Sequence, residues 1–262
     1  METATHSWLK LSSKRLPYER YDISVIIPSA AGRYENRWRW FWGQYVSNTH
    51  PDIVKNTYIV CDEAEYESLT ILCPEAQILT AKPRFIVPKT IHGVNAITTR
   101  LTFRLANDIA IIRKDWEVPL LEQFNSEPRL QIISKVTHGV VFPEEQENLE
   151  TDWHFIKELY KDQKKATACV YTHGSILMAQ TAVWRAYYSH VPCYTMHDHD
   201  EIYFGQIAQG DGIAITNMTG IDRFLCHVGV TNKDFTPEWM EHVHSEVKKY
   251  EALEPVTGFK LL

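Results

Sequence analysis

Apolar residues in this chain gather in short runs separated by amphipathic stretches. "YDISVIIPSA" is β-branched and closes at Pro28, which predicts a buried strand of a parallel sheet. "GRYENRWRWFWGQYVSNTH" follows, with Trp38, Trp42 and Tyr45 at helical spacing on one face, the pattern of core packing. "NTYIVCDEAE" reads as a second strand, ending in acids. "GVNAITTRLTFRLAND" has helical spacing and leads into a third apolar strand, "IAIIRKDWEVP". Alternating strands and helices predict a doubly wound α/β domain.

The second half is less regular. "PLLEQFNSEPRLQIISKVT" predicts a helix and then a strand, and "SILMAQTAVWRAYY" a strand and then a helix. "DEIYFGQIAQGDGIAIT" predicts a helix ended by Gly210 and Gly212, followed by a strand. "TPEWMEHVHSEVKKYEAL" is an amphipathic helix. These elements divide the chain into an arm at 1–21, a catalytic domain at 22–230 with a charged helical insertion at 143–166, and a helical tail at 231–262.

Composition narrows the class. At 262 residues and 44% hydrophobic, the chain can bury a sizeable core. A net charge of -6 argues against a dominant nucleic-acid footprint. Cys61, Cys73, Cys169, Cys193 and Cys226 form no CxxC pair, which fits a reducing compartment. No apolar run approaches the length of a membrane helix and no signal-peptide core is visible, so the expectation is a cytoplasmic protein without a membrane span.

Ligands of parallel α/β sheets bind outside the carboxyl ends of the strands. "PSAAGR", "CDEAE" and "RKDWE" load three expected strand ends with chemistry, and no GxGxxG or P-loop accompanies them. In an extended segment Asp115 and Glu117 point the same way, a hard oxygen site suited to Mg²⁺ or Mn²⁺. Asp198, Asp200 and Glu201 form an acidic run at a helix start, where dipole stabilisation also favours acids. His190, Cys193, His197 and His199 allow a rival reading, a zinc site or a metal-dependent hydrolase built on the 197–201 cluster.

These motifs, in this order, resemble GT-A fold glycosyltransferases, nearest to the large family 2. "DISVIIPSAAGR" resembles the first strand and donor loop, "YIVCDEAE" the second strand with its base-contacting acid, and "IAIIRKDWEVP" the strand carrying the D-x-D motif. "DEIYFGQIAQGDGIAI" resembles the E-D segment, and "FLCHVG" supplies a histidine that matches a third metal ligand. The resemblance implies a single Rossmann-like domain whose mixed, mostly parallel sheet is flanked by helices.

It further implies a nucleotide-sugar donor, UDP-sugar favoured, bound through Pro28, Ser29, Ala30, Arg33, Asp62, Arg100 and Asp115. Mn²⁺ or Mg²⁺ would be held by Asp115, Glu117 and His227, and Asp200, Glu201 or Asp198 would act as the base of an inverting transfer to an acceptor hydroxyl. The acceptor stays open among saccharides, lipid-linked sugars, proteins and a hydroxymethylated base of viral DNA. A GT-A-like module that binds without catalysis is a further alternative.

Overall fold

The computed structural model describes residues 16–29, 35–81, 86–134, 137–141, 167–171, 176–191, 200, 204–205, 208, 211, 213–218, 221, 224–228 and 236–251. The strands are β1 (Ile23–Pro28), β2 (Thr57–Cys61), β3 (Gln77–Thr80), β4 (Leu101–Leu105), β5 (Ile109–Ile111), β6 (Leu130–Ser134), β7 (Thr137–Val141), β8 (Thr167–Tyr171), β9 (Ile176–Gln180), β10 (Ala214–Asn217) and β11 (Leu225–His227). The helices are α1 (Glu35–Asn48), α2 (Pro51–Lys55), α3 (Tyr66–Leu72), α4 (Ile86–Ala96), α5 (Glu117–Ser126), α6 (Thr181–Tyr187) and α7 (Pro237–Glu251).

The main sheet has seven strands in the order β10-β6-β9-β4-β1-β2-β3. Only β9 runs against its neighbours; every other pair is parallel. The expected mixed, mostly parallel sheet flanked by helices is present, in a single domain. β5 and β11 form a separate antiparallel pair, and β7 and β8 another. Among the described residues no helix is long and apolar enough to cross a membrane.

Both faces of β1 are buried, and alternation decides which side each residue serves. Ile23, Val25 and Ile27 join Leu101, Phe103 and Leu105 of β4 under α1 and α5. The expected aromatic face of α1 packs here: Trp42 and Phe41 stack on Tyr45 at 5.2 and 5.5 Å. Burying each such side chain contributes about 2–3 kcal/mol. On the other face, Ile26 and Val60 meet α4 and α6 through Val87, Val94, Val183 and Trp184. α4 crosses closely at Gly93, where a Cβ would stand 3.0 Å from Ile26 Cγ2. That approach sets the turn of α4 carrying Lys89 against the carboxyl end of the sheet.

Two expectations need correction. The stretch from Gly93 to Asp108 is not one helix: α4 ends at Ala96, and Leu101–Leu105 is β4, parallel to β1. Thr102 and Arg104 alternate with Leu101, Phe103 and Leu105, and all five residues are buried between two helical layers. β5 is not a strand of the main sheet either. It doubles back along α1, held by Gln44 Nε2 to Ile109 O (2.8 Å), Ile111 N to Gln44 Oε1 (2.6 Å) and Asn48 Nδ2 to Ile111 O (2.7 Å). The insertion at 143–166 lies outside the described residues; β7 and β8 bracket it in sequence. Of the expected arm, residues 16–21 pack against the body, with Tyr18 buried beside Phe124.

Candidate functional site

β1, β2 and β4 end together at one edge of the sheet, with Pro28 opposite Val60 and Ile26 opposite Arg104. Ser29 continues β1 by donating its amide to Val60 O at 2.8 Å. Asp62 follows β2 and starts a short 3-10 turn at Glu63–Glu65. Glu65 folds back, accepting from Ser29 Oγ at 2.9 Å and from the Asp62 amide at 3.2 Å. Burial raises the Glu65 carboxyl above its usual range despite those bonds. Burial likewise pushes the Cys61 thiol up to about 12, which keeps it an inert core residue.

Lys89 closes this corner from α4. It is wholly buried, donates to Ser29 O at 2.6 Å and stands 3.2 Å from Asp62 Oδ1. That last contact is an ion pair without hydrogen-bond geometry, since Asp62 Oδ1 has no hydrogen-bond partner. A carboxylate and an ammonium therefore sit side by side, an acceptor next to a donor.

β4 ends in Ala106, Asn107 and Asp108. Both polar side chains are buried, and Asn107 Nδ2 and Asp108 Oδ1 make no hydrogen bond. Asp108 Oδ2 lies 3.2 Å from His227 Nε2, and Val228 N donates to Asp108 O at 3.1 Å, so β11 delivers the histidine to the end of β4. A carboxylate oxygen without a partner beside an imidazole suits a hard divalent cation, which commonly takes one or two carboxylates and fills its shell with water or phosphate. No group of three or more His, Cys, Asp or Glu side chains is assembled for a metal among the described residues. Asp108 and His227 fit as a partial set of ligands that a phosphate-bearing ligand would complete.

Behind β4, Arg104 donates to Tyr188 Oη at 3.0 Å and to Asp200 Oδ2. Tyr188 also donates to Asp200 Oδ2, and all three residues are buried. Burial foremost, with Asp200 adding to it, raises the Tyr188 phenol well above its usual value.

The structure thus divides the residues expected from sequence. Pro28, Ser29, Asp62 and His227 lie at the carboxyl edge, and Asp200 is buried behind it. Asp115 and Glu117 do not join them. Beyond β5 the chain has returned along α1, and Trp116 donates to Thr49 Oγ1 at 3.1 Å. Both carboxylates are held there by Arg20, which precedes β1: Nη2 donates to Asp115 Oδ1 at 2.5 Å and Nε stands 2.8 Å from Glu117 Oε1.

Six residues of β1 at ~3.3 Å each separate that amino edge from the carboxyl edge by about 20 Å. Nor is the segment extended, since Asp115 has a φ of 60° and Glu117 opens α5. Arg100 is also at the amino edge, where it donates to both oxygens of Asp22 and to the carbonyls of Leu16 and Pro17. Ala30, Arg33, Asp198 and Glu201 lie outside the described residues, as do Cys193, His197 and His199.

Sequence reasoning missed Lys89, Arg104, Asn107 and Asp108. The alternation in "LTFRL" running into "AND" was the available signal for the last three. Lys89 carried none.

No family model matches the chain, and no curated protein matches it in sequence. Among solved structures it is similar to glucosyl-3-phosphoglycerate synthase from Mycobacterium tuberculosis in complex with phosphoglyceric acid, with 10% identity, a TM-score of 0.50, and 89% of this chain and 81% of that one covered. It is also similar to 4-diphosphocytidyl-2C-methyl-D-erythritol synthase from Anaerococcus prevotii, with 10% identity, a TM-score of 0.48, and 86% and 96% covered. At 10% identity the likeness to the glucosyl-3-phosphoglycerate synthase is one of fold, and the fold is GT-A-like.

Proposed function

We propose that the protein is a metal-dependent glycosyltransferase that moves a sugar from a nucleotide-sugar donor to an acceptor hydroxyl. The observation that carries this reading is that two pairs, Asp62 with Lys89 and Asp108 with His227, lie at the ends of β2 and β4 on the carboxyl edge of the sheet. That edge is where open α/β sheets take their ligands. The likeness in fold to a synthase named for its glucosyl product supports the same class.

The side chains divide the donor between them. Asp62 offers an acceptor to the imide N–H of uracil, and the wholly buried Lys89 holds that carboxylate in place. Lys89 also holds the Ser29 carbonyl, so the end of β1 is set before the donor arrives. Asp108 and His227 would hold Mn²⁺ or Mg²⁺ against the diphosphate. When bound, the ion supplies positive charge to the departing nucleoside diphosphate. A carboxylate of the acidic run that begins at Asp198 takes the proton of the acceptor hydroxyl, on the side opposite the leaving group, and the anomeric configuration inverts.

The test is release of nucleoside diphosphate from UDP-glucose, UDP-galactose and GDP-mannose with Mn²⁺. Release that stops with EDTA and returns with added Mn²⁺ is the expected result. Full release in excess EDTA overturns the metal half of the reading, and no binding of any nucleoside diphosphate overturns the donor half.

A further inference from the structure

We infer that Asp200 is a positioning residue, one half of a buried lock with Arg104, and not the group that takes the acceptor's proton. Two independent observations point there. The first is the pattern of the segment that carries it. Asp200, Phe204 and Ala208 are spaced by four and each is no more than 2% exposed. Phe204 packs on the body: its ring stacks on Trp184 at 4.8 Å and meets Tyr188 at 5.5 Å. Asp200 therefore belongs to the inward stripe.

The second observation is what receives it. Arg104 is the fourth residue of β4, on the strand that ends at Asn107 and Asp108. Its guanidinium donates to Asp200 Oδ2 and to Tyr188 Oη, while Tyr188 donates to the same carboxylate oxygen. A charged arginine inside a sheet is strongly unfavourable without a counter-charge, and removing one member of such a pair strands the other. The lock ties Asp200 to the strand that carries the proposed donor site. The word positioning rests on the transferase reading; the lock itself does not.

The experiment compares Asp200→Leu, the milder Asp200→Asn, Arg104→Met and the pair Arg104→Met/Asp200→Leu. Each is measured for melting temperature and for nucleotide release from UDP-glucose, UDP-galactose and GDP-mannose with Mn²⁺. Each single apolar replacement should lower the melting temperature by roughly 5–10 °C, and the pair should recover most of that loss. Nucleotide release should fall with Asp200→Leu and return to within about tenfold of wild type in the pair, because Asp200 acts through Arg104. A pair as stable as wild type that still loses on the order of 10²–10⁴-fold makes Asp200 the proton acceptor and overturns the inference. Melting losses that simply add in the pair overturn the lock. A wild type that releases no nucleotide contradicts the proposed function, while the melting temperatures still decide the lock.

Discussion

Asp108 and His227 stand 3.2 Å apart where β5 begins, whereas Asp115 lies beyond the strand's other end, bonded to Arg20. One three-residue strand thus connects two acidic sites of opposite character. The first has a buried oxygen with no hydrogen-bond partner at the carboxyl edge of the sheet. The second is an ion-pair cluster that fastens residues 16–22 to the amino edge.

Arg20→Ala should destabilise the protein and leave nucleotide binding intact. Burial, eased by Arg20, raises the Glu117 carboxyl above its ordinary range. Glu117 therefore contributes its stability fully below an unfolded value near 4.5 and loses it as pH rises through the higher folded value. Without Arg20 that loss deepens. Denaturant unfolding at pH 7 should show a deficit of about 2–3 kcal/mol, moderated by the partial exposure of Arg20, and a smaller deficit at pH 4. An equal deficit at both values contradicts the pairing.

Asp22→Asn should show the opposite pH dependence. Burial works to raise the Asp22 carboxyl, but hydrogen bonds from Arg100 and the Glu19 amide outweigh it and hold the group below its usual range. The stabilisation is present above an unfolded value near 3.8 and lost as pH falls through the lower folded value. The variant should be about 1–2 kcal/mol less stable at pH 7, with the difference vanishing toward pH 2. A difference that persists in acid would show that Asp22 contributes through packing.

Asp62→Ala should weaken UDP binding by roughly tenfold to a hundredfold, the worth of one hydrogen bond to a charged group, and should lower the melting temperature because it strands the buried Lys89. Calorimetric titration with UDP, GDP, CDP and TDP checks it. Unchanged affinity for all four removes Asp62 from the site.

The fold was legible where alternation was clean. β1 and β2 are fully buried β-branched runs, and the aromatic stripe of α1 is core. Among the residues expected at the site, Pro28, Ser29, Asp62 and His227 do lie at the edge that strand order implies. Asp115 and Glu117 read as carboxyl-edge residues only while β4 goes unrecognised. A buried Arg104 disguised the strand, and the hydrogen bonds that make it tolerable, to Tyr188 and Asp200, span 84 and 96 residues of sequence. With β4 read as helix, the next apolar run, β5, took its place, and the expected acids moved from the carboxyl edge to the amino edge. Lys89 was illegible for a different reason, since only the packing of α4 at Gly93 turns a lone lysine toward the end of β1.

The most direct measurement is calorimetric titration of UDP, with and without Mn²⁺, into the wild type, Asp108→Asn and Asp115→Asn. The wild type should bind UDP at least tenfold more tightly with Mn²⁺ than without it. Asp108→Asn should lose that Mn²⁺-dependent gain, while Asp115→Asn should keep it and lose only stability. A gain abolished by Asp115→Asn and kept by Asp108→Asn would move the donor site to the amino edge and contradict the account.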